Sequence, residues 1–525
     1  MNWKLLKPVR VIVSLIFFCS TLFIFIDFAA ISSIRLINAI LYLQFIPSLI
    51  NFLALFSLAS AGILFILALT LLFGRIYCSS VCPLGTLHDI IIGINIRLNR
   101  KKKFRFQKSI PWIRYIILIL TTILLVFGNM FLLTLLDPYS LSGKFFSDLF
   151  RPVFYAAKNL DSILLLPGDV FPLYVEPMKF ASWPSLVISG VLFIAILVPA
   201  LFKDRWFCTE ICPVGTLLGL LSYASLFKIW IDETDCMACG TCSSVCKSGC
   251  ISYVEKKVDF SRCIACYNCL KWCPHGGMKF TIRNSKLEIR KKANSSISTP
   301  SLPPIVNNSR RDFLKTTVLI ASALTISKSI FSQQRASQEE INPYPVLPPG
   351  SISFWHFTEK CTSCHLCISA CPTNVLQPAF LDYGLTGILQ PKMDFETNYC
   401  NFDCVICTEI CSTGAILPQT IEQKQLIQIG VPRLIKNLCI PVDERTACGV
   451  CSEYCPTRAI EMIPYLGELK IPELHEKHCV GCGACEYVCP TRPIRAIYVE
   501  PLLYHRKILK SNKETETKQN IKRRI

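Results

Sequence analysis

Four cysteines stand within eleven residues in the stretch CTSCHLCISACP, at Cys361, Cys364, Cys367 and Cys371, and Pro372 follows the last. This C-x2-C-x2-C-x3-C-P run wraps three thiolates around one [4Fe-4S] cube, while the fourth reaches a neighbouring cube. A zinc loop needs only C-x2-C pairs, and disulfide frameworks concentrate in short secreted chains. With 30 cysteines in 525 residues, motif spacing favours iron–sulfur ligation.

Six such runs occur in three consecutive pairs. The first pair is Cys236, Cys239, Cys242, Cys246 and Cys263, Cys266, Cys269, Cys273. In the second, Cys361 to Cys371 pairs with Cys400, Cys404, Cys407 and Cys411, whose first gap has widened to three residues. The third joins Cys439, Cys448, Cys451 and Cys455, with a first gap of eight, to Cys479, Cys482, Cys485 and Cys489. Crossing of the fourth thiol assigns one cube to Cys236, Cys239, Cys242 and Cys273, and another to Cys263, Cys266, Cys269 and Cys246. It likewise groups Cys361, Cys364, Cys367 with Cys411; Cys400, Cys404, Cys407 with Cys371; Cys439, Cys448, Cys451 with Cys489; and Cys479, Cys482, Cys485 with Cys455. Twenty-four thiols then hold six cubes, and only Cys19, Cys250 and two C-x3-C-P pairs are left over.

Cluster loops do not explain a mean hydropathy of +0.43 with 17% charged residues. Val11 to Ile31, Phe52 to Phe73, Tyr115 to Leu136 and Pro184 to Phe202 are apolar enough and long enough to cross a bilayer as helices. The loop from Gly74 to Arg114 carries nine Lys/Arg against Asp89 alone, whereas Asp137 to Trp183 carries four against five acids. The positive-inside rule places the first loop and the amino terminus in the cytoplasm and the second loop outside. Much of the net charge of +19 is therefore a topology signal and not a nucleic-acid footprint.

The helical part repeats. GRIYCSSVCPLGTLHD (Gly74 to Asp89) and DRWFCTEICPVGTLLG (Asp204 to Gly219) share Arg, C-x3-C-P and Gly-Thr-Leu at equal offsets. Residues four apart share a helical face. Cys78, Cys82, Cys208 and Cys212 could therefore converge on a further cluster or act as a dithiol relay if the repeats meet around a pseudo-twofold. The apolar stretch Val214 to Ile231 reads as an interfacial helix.

The fold class expected is an α-helical membrane domain of four transmembrane helices in a 2+2 repeat, joined to α+β dicluster modules. The helical domain covers 1–231 and the first dicluster module 232–283. A Ser/Pro-rich linker follows at 284–309, and a twin-arginine signal or anchor at 310–331, read from Arg310, Arg311 and the apolar stretch after them. A Pro-rich linker fills 332–356, a four-cluster domain 357–500, and a basic tail, expected to be disordered, 501–525.

On these motifs the chain to about residue 283 resembles the NapH-type membrane ferredoxins. From Ser309 to about Glu500 it is similar to the exported MauM/NapG type, including Pro348 to Gly350 ahead of the first run and the widened gaps. The resemblance implies a bacterial inner-membrane fusion of both. It would take electrons from membrane quinol, pass them through [4Fe-4S] clusters, and deliver them to a periplasmic reductase or cytochrome, such as nitrate reductase. Its partners would be the quinone pool, that acceptor and the twin-arginine export machinery. The first module would be cytoplasmic and the second periplasmic. Quinol oxidation needs a proton acceptor, and Asp27, Asp137, His88 and Asp89 are the candidates near helix ends. His275 and His365, inside cluster loops, read as residues that tune potential by hydrogen bonding. The alternative is a membrane polyferredoxin that reduces metal such as copper, or assists assembly of a respiratory complex.

Overall fold

A computed structural model describes residues 5–26, 34–55, 62–99, 104–164, 182–232, 234–282 and 344–508. Asp27, the linker 284–309, Arg310, Arg311 and the last part of the basic tail lie outside the described residues.

The helical part runs α1 (Leu6–Ile26), α2 (Ile34–Tyr42), α3 (Phe45–Leu55), α4 (Gly62–Phe73), α5 (Ile76–Ser80), α6 (Pro83–Leu98), α7 (Pro111–Val126), α8 (Phe131–Leu136), α9 (Pro138–Lys144), a π-helical turn (Phe145–Phe150), α10 (Arg151–Leu164), α11 (Trp183–Lys203), a second π turn (Phe207–Ile211) and α12 (Pro213–Ser222). Two of these, α1 and α11, have 21 residues and mean hydropathies of 2.5 and 2.6, long and apolar enough to cross a membrane by length and composition. At 1.5 Å per residue each is about 30 Å long.

Several expected boundaries differ, each for a local reason. Helix α1 starts before Val11 and includes Arg10, whose charge is absorbed by bonds to the Ser79 carbonyl (2.9 Å) and Asp89 (3.0 Å). The stretch from Tyr115 to Leu136 is not one helix. A turn at Phe127–Met130 divides it, with Gly128 at φ +74° and the Asn129 side chain accepting from the Phe131 amide (2.9 Å); left-handed backbone ends a helix. Within Phe52 to Phe73 the described helices are the end of α3 and the 12-residue α4. Val214 to Ile231 is likewise two elements: α12 ends at Ser222 and Phe227–Ile231 is strand β1, pairing antiparallel with β4 (Met278–Ile282). FKIWI is rich in strand-forming aromatic and β-branched residues, and the rings of Phe227 and Phe280 stack across the pair at 5.6 Å.

The first module therefore begins at β1 and adds the small ribbon β2 (Ile251–Ser252) with β3 (Lys257–Val258). The second is built on three antiparallel pairs: β5 (Leu376–Pro378) with β6 (Pro391–Met393), β8 (Ile460–Pro464) with β9 (Lys470–Leu474), and β7 (Ile427–Leu434) with β10 (Ile497–Lys507). Strand β10 takes in residues 501–507, so the ordered module reaches past Glu500, with Lys507 opposite Ile427. At its other end Val346 and Leu347 are buried, so the segment 344–356 is part of the module and not linker.

The two modules abut opposite ends of α1. Near its start, Arg10 shares Asp89 with Lys247 of the first module (3.0 Å). Near its end, Phe25 packs by Gly143, whose position is filled from the other side by the Cys364 carbonyl of the second module. Fifteen residues of helix separate Arg10 from Phe25, about 22 Å. The second module is fixed there by buried polar contacts: His365 Nδ1 to Asp148 Oδ1 (3.0 Å), Ser369 to Ser147 (3.0 Å) and Asn51 to the Ser412 carbonyl (3.0 Å). Ser185 and Ser189 of α11 both donate to the other Asp148 oxygen (2.7 Å each). Asp148→Ala should cost about 1–3 kcal/mol at this interface, because it leaves buried polar groups of Ser185, Ser189 and His365 without their partner. Limited proteolysis should then release residues 344–508 from the helical domain faster than in the unmodified chain; unchanged cleavage would contradict this docking.

Candidate cluster sites

The two C-x3-C-P motifs meet face to face. Cys82 and Cys212 are the N-caps of α6 and α12, each followed by a proline at the first helical position, where its missing N–H costs nothing. Their sulfurs accept the amides of Gly85 (3.4 Å) and Gly215 (3.3 Å). Arg75 donates to the Cys208 carbonyl and Arg205 to the Cys78 carbonyl, both at 2.8 Å. This reciprocity is a pseudo-twofold. All four thiols are buried and influence one another electrostatically. A methyl group on Gly85 would collide with the Cys78 carbonyl, and one on Gly215 with the Cys208 carbonyl. Gly85→Ala should therefore cost about 1–3 kcal/mol through overpacking, read as a lowered Tm of the full chain, whereas Gly93→Ala on the same helix, with nothing within 4 Å of its added Cβ, should not.

The runs themselves form cages. One cavity of the first module is lined by Cys236, Cys239, Cys242 and Cys273, with His275 beside them. Another is lined by Cys246, Cys263, Cys266 and Cys269, and also by Cys250, whose sulfur is 3.5 Å from that of Cys246. In the second module, Cys361, Cys364, Cys367 and Cys411 line one cavity and Cys439, Cys448, Cys451 and Cys489 another. Cys371 lies in electrostatic range of Cys400 and Cys407, which also feel Cys404; Cys455 is similarly placed with Cys479, Cys482 and Cys485. Each set takes three thiols from one run and one from its partner. Among the described residues no group of three or more His, Cys, Asp or Glu could hold a single metal ion.

Backbone conformation explains how short loops do this. Ala238, Ala265 and Ser363, one before the second Cys of their runs, have positive φ, and so do Gly240, Tyr267 and His365, one after it. Gly481 and Gly483 occupy the same two places around Cys482. Alternation of this kind turns successive amides inward as an anion-binding nest, as at many iron–sulfur sites. Non-glycine residues held there cost about 1–3 kcal/mol each, strain that persists where the surroundings fix it. Burial pushes Cys451 and Cys482 up to about 12, so these thiols become thiolates on ligation, which expels their protons.

The candidate proton acceptors fare differently. Asp89 is ringed by Arg205 (2.7 Å), Arg10 and Lys247. Burial alone would raise its pKa, but these cations hold it well below the usual carboxylate range. His88 is buried and stacked on Phe207, with Nδ1 donating to the Leu84 carbonyl (2.9 Å). Asp137 caps α9, one oxygen accepting from the Ser140 amide (2.8 Å) and hydroxyl (2.7 Å), while its other oxygen is buried with no side-chain hydrogen bond among the described residues. His365 does not turn to a sulfur. Its ring nitrogens reach Asp148 and the Leu389 carbonyl, each at 3.0 Å. Asp148 was not among the residues singled out from the sequence, and Arg75 and Arg205 stood out there only as the shared arginine of the repeat.

A family model described as a 4Fe-4S binding domain matches residues 53–105 and 186–231, the two helical repeats with their C-x3-C-P motifs. Another of that description matches 355–377, and a 4Fe-4S dicluster domain matches 444–492. Among curated proteins, the ferredoxin-type protein NapF of Escherichia coli K12 is 31% identical over 137 residues, 26% of this chain and 74% of NapF. The methylamine utilization ferredoxin-type protein MauM of Methylorubrum extorquens is 28% identical over 180 residues, 33% of this chain and 80% of MauM. The uncharacterized protein MJ0749 of Methanocaldococcus jannaschii is 23% identical over 188 residues; the match covers 34% of this chain and only 55% of that relative's length. No solved structure matches. With cluster-binding models matched in both halves and most of NapF covered, the chain belongs to the ferredoxin-type proteins that bind [4Fe-4S] clusters.

Proposed function

We propose that this is a membrane electron-transfer protein that oxidises quinol within its helical domain and delivers electrons through the second module to a periplasmic acceptor such as nitrate reductase. The observation that carries this reading is the attachment of two cysteine-rich modules to opposite ends of α1. The six crossed sets of four thiols hold six cubes, and the paired C-x3-C-P thiols hold a seventh; the match of a 4Fe-4S family model to both repeats supports the latter. In four-span form, α1, the α3–α4 pair, α7 and α11 cross the bilayer, with the turn at Gly128 facing the second module through Glu359. Ionisable groups buried in such a domain are functional candidates, and Asp137, which no cation pairs among the described residues, is the proton acceptor this reading favours over Asp89, which three cations already occupy. The test is oxidation of menaquinol or ubiquinol by the reconstituted chain, followed through cluster reduction. Reduction that is lost in Asp137→Asn supports the reading; clusters that dithionite reduces but neither quinol does would overturn it.

A further inference from the structure

The four C-x3-C-P thiols lie in one buried core with the ligand loops of both modules. That core contains Cys78, Cys82, Cys208 and Cys212, Cys266 of the first module, and Leu366 and Ala370 of the second, with Cys364 and Cys367 packed against it. Toward the first module two fully buried guanidiniums bridge the gap. Arg75 donates to the carbonyl of Ser261 (2.9 Å), two residues before Cys263, and stands 3.9 Å from the Cys78 sulfur. Arg205 bonds the Cys78 carbonyl and pairs with Asp89, which holds Lys247, the neighbour of Cys246. Toward the second module, α6, capped by Cys82, packs on α9, and Gly143 of α9 meets the Cys364 carbonyl. Among the described residues Arg75 has no carboxylate partner, its bonds going to Ser261, Cys208 and the Cys78 sulfur. A buried cation needs a counter-charge, which thiolates bound to an iron–sulfur centre supply.

We propose that the paired C-x3-C-P thiols hold a one-electron relay joining the clusters of the two modules, so that the chain conducts electrons across its helical domain from one module to the other. The inference rests on the reading that both modules carry cubes, and it needs no quinol. One cluster loses an electron, the relay gains it and passes it on; no bond is made or broken and no proton is required.

The test uses the full chain in sealed vesicles with ferricyanide trapped inside and dithionite added outside. The unmodified chain should bleach the ferricyanide, and Cys78→Ser/Cys208→Ser should fall to the rate of protein-free vesicles while the cubes of the module facing outward still reduce. A variant that bleaches like the unmodified chain overturns the proposal. Because that variant could also disturb folding, a second measurement uses the unmodified protein: a redox titration followed by electron paramagnetic resonance must show one spin beyond the six of the modules, and a total of six overturns it. Dithionite stands in for quinol, so crossing without any quinol-driven reduction would sink the quinol reading alone, whereas quinol-driven reduction without crossing would sink the relay alone.

Discussion

Anaerobically purified full-length protein should contain about 28 irons and as many labile sulfides, and the Cys78→Ser/Cys208→Ser variant about 24, one four-iron cube fewer. The figure follows from thiol bookkeeping: twenty-four cysteines in six crossed sets, four more in the paired motifs, and only Cys19 and Cys250 outside. It also discriminates among chemistries. Zinc in place of iron would defeat the cluster assignment altogether, and about 24 irons in both proteins would mean that the paired motifs work as plain thiols. The loss in the variant should leave the module signals intact, because the cages at Cys236 to Cys273 and Cys361 to Cys489 take no ligand from Cys78 or Cys208.

Replacing Arg310 and Arg311 by Lys should abolish electron delivery to a periplasmic acceptor while leaving the module clusters assembled. Clusters are built in a reducing cytoplasm, so a module needed outside must cross already folded and loaded, which is the task of a twin-arginine signal. Stranded on the wrong side, residues 344–508 could not reach the surface formed by Ser147, Asp148 and Asn51, where the second module docks. The measurement is periplasmic acceptor reduction in cells, with iron content of the purified variant as the control. Delivery that survives the double substitution would show that another device places the second module.

Much of the site was legible because iron–sulfur spacing is local: four of the six runs place three thiols within seven residues, and even Cys439 to Cys451, with its widened gap, stays within one short stretch. The pseudo-twofold was legible for a related reason, since Arg75 and Arg205 stand at matching offsets before Cys78 and Cys208. What sequence could not display are the pairings between distant segments. His365 and Asp148 are 217 residues apart, so the cluster run that displays the histidine does not display its partner. Cys250 looked unassigned, yet the turn at Gly249 (φ +57°) folds it back onto Cys246. Strand β1 was hidden inside an apolar stretch, where hydropathy alone cannot separate a buried strand from a helix; its partner β4 decided the matter from fifty residues away.

The placement of the two modules on opposite faces of the membrane is tested most directly by protease digestion of intact spheroplasts, with antibodies to each module as the readout. The topology proposed here has residues 344–508 cut from outside and residues 227–282 protected until the membrane is opened. Protection of both modules, with the loop between Asp137 and Trp183 cut, would put both on the cytoplasmic side and contradict electron delivery to the periplasm.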